Sequence, residues 1–242
     1  MSFDLATFHL SEMTRLGGSL RRLGQGADSM EGLAQQVVSL LYNDLIDANS
    51  SVRNCVLVRF YITANYGDLD AGLRAFGEKL MQGYELSPAT RCLTLLATAG
   101  DLPEWNSRTS SAGHQTIPLP SEQVIQTIPM VAQLIAQLGL DFGMLVTPNP
   151  ALVLEVEQRT YNVFFVPDAA GSPYIPAQDF VVRHKVRSVL GFGGVLPSGE
   201  IYAVLMFTRI SVSRDTANVF RNAAMNLKLA LLPFMEKPLF SH

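Results

Sequence analysis

Two apolar runs, residues 186–195 and 201–210, stand on either side of Pro197-Ser198-Gly199. Pro and Gly supply the backbone angles that a tight turn needs, and apolar runs separated in this way read as a β-hairpin. The C-terminal third is thereby committed to paired strands. The first run contains Gly191-Phe192-Gly193-Gly194. No helix comes after it whose N-terminal amides would hold a phosphate. The glycines therefore read as a strand with a bulge or a close backbone approach, serving packing or a pocket wall.

Upstream, residues 55–63 are rich in Val, Phe, Tyr and Ile and read as a strand, as do 92–98 and 161–166. Met13, Leu16, Leu20 and Leu23 repeat at helical steps within 3–23, interrupted by Gly17 and Gly18. A stronger helix comes next, with Asp28 as its cap and Glu31 three residues on, a capping-box spacing. Leu33, Val37, Leu40 and Leu41 form its buried stripe, and Asn49 and Ser50 mark its end. Residues 69–82 read as a short helix.

The middle is looser. Residues 102–120 and 167–180 read as long loops rich in Pro, Ser, Thr and Gly. Between them Ser121 caps a helical pattern through Leu138 that Pro129 either kinks or splits in two. Pro148 and Pro150 mark a further connection, with a short helix around 152–158. Ala217, Phe220, Ala224, Leu227 and Leu231 form a heptad-like closing helix that stops before Pro233.

Apolar residues make up 48% of the 242, and charged residues 16%, a balance that favours a filled core over disorder. The net charge of −3 gives no broad attraction to nucleic acid. No basic start with an apolar core marks a secretion signal, and no run is apolar enough to span a membrane, so a soluble cytoplasmic protein is expected.

The hairpin and the C-terminal segment beyond it resemble the GAF family of small-molecule sensory domains. Arg187-Ser188-Val189-Leu190 is similar to the family's RSxL strand. Gly199-Glu200-Ile201-Tyr202-Ala203-Val204-Leu205 is similar to its GExxGVL strand, with Ala203 in place of the second glycine. Residues 213–232 resemble its closing helix, and the order of elements matches across 28–232, although 102–180 is longer than in a minimal GAF domain. The resemblance implies an α/β (α+β) fold, an antiparallel sheet with the terminal helices packed on one face and long loops over the other. It implies an N-terminal helical extension over 1–27, a GAF-like sensory domain over 28–235 and a tail over 236–242. It also implies a role in signal transduction through a separate partner such as a histidine kinase.

Candidate ligand contacts lie in the two loops, where binding groups are often carried. Trp105 and His114 stand in the first, and Tyr174, Phe180 and His184 in or just after the second. Such rings either roof an apolar pocket or anchor the loops to the core. His9, His114, His184 and His242 have no metal-ligand spacing, and no catalytic elbow or dinucleotide fingerprint is present, so neither a catalytic nor a metal residue is assigned. Cys55 and Cys92 lie in strand-like runs and read as small buried hydrophobes.

The leading expectation is a non-enzymatic sensor of an unidentified small molecule. It would form a homodimer through its terminal helices and bind neither nucleic acid nor membrane. The rivals are a ligand-free dimerising module and a cysteine-dependent redox enzyme.

Overall fold

The computed structural model describes residues 2–147 and 162–241. Its centre is a sheet of β1 (Cys55–Asn65), β2 (Arg91–Gly100), β3 (Thr116–Pro118), β4 (Val163–Val166), β5 (Ser188–Val195) and β6 (Ile201–Thr208). The spatial order is β3-β2-β1-β6-β5-β4, and every neighbouring pair is antiparallel. The hairpin expected around Pro197 joins β5 to β6, with Gly199 in a left-handed conformation. Short β3 and β4 close the two edges, which limits unpaired backbone there.

Side chains alternate across a strand, and here both faces are covered. Val58, Phe60 and Ile62 of β1 join Tyr202, Val204 and Met206 of β6 in one apolar cluster. Leu57 and Tyr61 join Ala203, Leu205 and Phe207 in another, on the opposite face. The first cluster is capped by three helices, α1 (Leu10–Arg21), α2 (Met30–Asp44) and α9 (Arg221–Leu231). The second lies under α4 (Glu122–Gln126), α5 (Pro129–Leu138), α6 (Phe142–Val146), α7 (Gln178–Arg183) and the two long connections. A short α3 (Ala71–Leu80) packs near β3, and α8 (Arg214–Val219) precedes α9. The fold is therefore α+β, with terminal helices on one face and the long loops on the other.

Several local features differ from expectation, each for a physical reason. Ser29, not Asp28, caps α2, its hydroxyl accepting from the Gly32 amide at 3.1 Å. Two further amides of that first turn, Met30 and Glu31, donate to the carbonyls of Pro238 and Leu239. The segment after 235 thus satisfies orphan donors of α2 rather than trailing free. The α2 helix ends at Asp44, before Asn49 and Ser50. Residues 1–27 likewise contribute directly to the core: Leu5, Phe8, Met13, Leu16 and Leu20 share the cluster of β1 and β6.

Helix α1 runs unbroken through Gly17 and Gly18 because α9 packs against it. A Cβ at Gly17 would stand 2.6 Å from Asn226 Nδ2. Pro129 starts a new helix at its first turn, the second of the two expected outcomes. The loop 102–120 contains a 3-10 turn, Pro103–Asn106, and edge strand β3, and the loop from 167 ends in α7. The closing helix is two, α8 and α9, meeting at Phe220. The helix expected at 152–158, the connection at Pro148 and Pro150, Tyr161 and His242 lie outside the described residues. Among the described residues no helix is long and apolar enough to cross a membrane.

Both thiols are buried, and burial pushes each up to about 12, so neither is a thiolate near neutral pH.

Candidate functional site

On the loop-bearing face the sheet does not meet its cover everywhere. Between them lies a partly open cavity of about 510 Å³, within the ~300–1,000 Å³ common for small-ligand sites. Its floor is Leu57, Arg59 and Tyr61 of β1 with Leu205 and Phe207 of β6. The pleat dictates this: residues two apart on β1 share a face, so a charged and a phenolic side chain stand beside Leu57. Val131 and Leu134 of α5 form one wall, held there by Gln137. Its side-chain oxygen accepts from the Phe165 amide at 2.6 Å, which ties α5 to edge strand β4.

The two long loops meet over this floor, as the sequence suggested. Asn106 bonds the Gly100 amide and carbonyl at 3.1 and 3.0 Å and the Leu102 carbonyl at 2.8 Å. That fastens the turn bearing Trp105. Gln178 organises the second loop, accepting from the Gly171 amide and donating to the Ile175 carbonyl at 2.7 Å. This sets Ile175, Pro176 and Ala177 against the cavity. The loops then join through rings: Trp105 lies 5.7 Å from Phe180 and 4.7 Å from His184, and Phe180 reaches Phe207 at 5.3 Å.

Of the residues singled out by sequence, Trp105, His114 and Phe180 line the cavity. His184 packs on both rings but is not part of the lining, so it braces the roof. Tyr174 is 40% exposed and is not part of the lining. Its neighbour Ile175 turns inward instead. The bonds of Gln178 decide which of the two is buried.

Sequence reading missed Arg59 and Tyr61. The signal was present: a single charge inside the apolar stretch Val58-Arg59-Phe60. Arg59 is only 8% exposed. Its Nη1 donates to the Tyr61 hydroxyl at 3.1 Å and to the Gly113 carbonyl at 3.0 Å, and its Nη2 donates to Ser111 Oγ at 2.8 Å. It thereby holds the loop segment that presents His114. His114 sits at the rim with a left-handed φ of 57°, uncommon for a residue with a side chain. His114 is exposed at the surface, and partial desolvation and then the charge of Arg59 lower its pKa from the ordinary imidazole value.

The site is thus an apolar chamber with a guanidinium and a phenol on its floor and an imidazole at its rim. Among the described residues, no cluster of three or more His, Cys, Asp or Glu is placed to hold a metal ion. No protein-family model matches the chain, and comparison with characterised proteins finds no matching sequence.

Proposed function

We propose that this protein is a GAF-like sensory protein that binds a small molecule in the cavity between β1, β6 and the two long loops. The observation that carries this reading is the cavity itself: an apolar lining with a few converging polar groups is the usual form of a small-ligand site. The contacts of Arg108 support a route from ligand to output. The loop that brings Trp105 and His114 to the cavity also carries Arg108 to the helical side of the molecule. There Arg108 pairs with Glu31 of α2 at 2.8 Å and lies 4.4 Å from the Phe240 ring centroid. Movement of this loop on binding would be felt at the first turn of α2 and at the C-terminal segment. Output then passes to a separate partner, such as a histidine kinase, in the cytoplasm.

Ligand binding is expected to change Trp105 fluorescence and raise the melting temperature, because only the folded state binds. Leu134→Trp, which fills the chamber from α5, is expected to abolish the thermal shift while leaving the far-UV circular dichroism unchanged. A metabolite screen in which wild type and Leu134→Trp respond alike would remove the site.

A second reading, a dimerising interaction module, is favoured by a different observation. The stripe from Ala217 to Leu231 is buried in the domain core. However, α9 and the turn after it expose Met225, Leu229 and Leu232 at 45%, 48% and 36%, at steps of four and three. A self-complementary apolar stripe suits a two-fold dimer. Light scattering is expected to show a dimer for wild type and a monomer for Met225→Glu/Leu229→Glu. A monomeric wild type would exclude that use of the stripe.

A further inference from the structure

The polar groups of the cavity are unevenly charged. Its lining, among the described residues, contains Arg59 and no Asp, Glu or Lys. Among the described residues Arg59 has no carboxylate within ion-pair distance, whereas Arg15 and Arg209 each have one and Arg108 has two. Its acceptors, Tyr61, Ser111 and Gly113, are all neutral, and its Nε has none. A buried charge is tolerated when it is both hydrogen-bonded and paired, and here only the first condition is met. Tyr61 adds a second, independent sign. Its hydroxyl oxygen accepts from Arg59, which leaves its own hydrogen to donate. Two donors on one strand thus face an apolar chamber in which, among the described residues, no carboxylate stands.

Building on the cavity reading, we propose that the ligand is an amphipathic monocarboxylate, its carboxylate paired with Arg59 and Tyr61 and its hydrocarbon or aromatic body filling the apolar wall. One cation neutralises one anionic charge, whereas a phosphomonoester carries more than one at pH 7. A nucleoside body would set hydroxyls and ring nitrogens against Leu93, Ile117, Val131 and Leu134, where they would lose hydrogen bonds made to water. A planar guanidinium matches a carboxylate in shape as well as charge. The carboxylate would also compete with Ser111 and Gly113 for the Nη donors, which links occupancy to the loop carrying His114 and Arg108.

The test is calorimetric titration with matched pairs: decanoate against 1-decanol, and 4-phenylbutyrate against 4-phenylbutanol. In wild type, the acid of at least one pair is expected to bind about tenfold or more tighter than its alcohol, as a charge-assisted bond implies. In Arg59→Met that advantage is expected to vanish while the alcohol still binds. Should Arg59→Met not fold, Arg59→Lys takes its place and is expected to keep a reduced advantage, having the charge without the fork. Alcohols that bind wild type as well as the acids overturn the carboxylate but leave the cavity reading standing, as does an advantage unchanged in the Arg59 variants. Failure of every acid and alcohol to bind wild type overturns the carboxylate proposal and counts against the cavity reading too.

Discussion

Gly193→Ala is expected to lower stability by about 3 kcal/mol, the upper end of what overpacking produces. Gly193 lies in β5 opposite Ala203, and a Cβ there would collide with the Tyr202 carbonyl oxygen and stand 3.1 Å from Ala203 Cα. Both are backbone atoms of the central strand β6, so no rotamer change relieves the clash. The run Gly191-Phe192-Gly193-Gly194 therefore marks a close backbone approach, one of the expectations drawn from the absence of a helix after it. Gly113→Ala is the control: its Cβ would meet nothing within 4 Å, so an effect within about 0.5 kcal/mol is expected. Urea denaturation of both variants measures the contrast. Equal midpoints would show that β5 and β6 have room to separate.

Phe220→Ala is expected to be as damaging, at about 3–5 kcal/mol, the range for removing a buried phenylalanine. Phe220 is fully buried where α8 meets α9. Its ring stacks on Phe8 at 5.0 Å and lies 5.9 Å from Phe192 of β5. One side chain thus joins the N-terminal segment, the closing helices and the sheet. Phe8→Ala is expected to be comparable, and the double variant less damaging than the sum, because the two rings share a contact. Strict additivity in denaturant titrations would mean that residues 1–27 pack independently of the sheet.

These two sites also show how far the sequence was legible. The strands at 55 and 92, the hairpin and the stripes of α2 and α5 were readable because their apolar periodicity is the same force that buries them. The expected layering is the one observed: antiparallel sheet, terminal helices on one face, loops on the other. Details set by distant residues were not readable. Whether Asp28 or Ser29 caps α2 depends on the chain after 235, whose carbonyls meet the next two amides. Edge strand β3 lay hidden in a Pro-rich loop because three residues carry too little periodicity to detect.

The site was half legible for the same reason. Aromatic residues in long loops pointed to Trp105 and Phe180, and the loops do meet through those rings. Nothing local separated Tyr174, which faces solvent, from Ile175, which does not. Arg59 was hidden by the strength of its own strand: in the run 55–63, read for apolar content, a single charge is averaged away. The pleat gives that charge its meaning, by turning it toward the loops rather than the helices.

The proposed function requires that the chamber above β1 and β6 hold a small molecule. Native mass spectrometry of the protein purified from its own host tests it most directly. Wild type is expected to carry one small-molecule mass per chain, displaced on unfolding, and Leu134→Trp is expected to carry none. Bare mass in both proteins, unchanged after incubation with the carboxylate and alcohol probes, would contradict it.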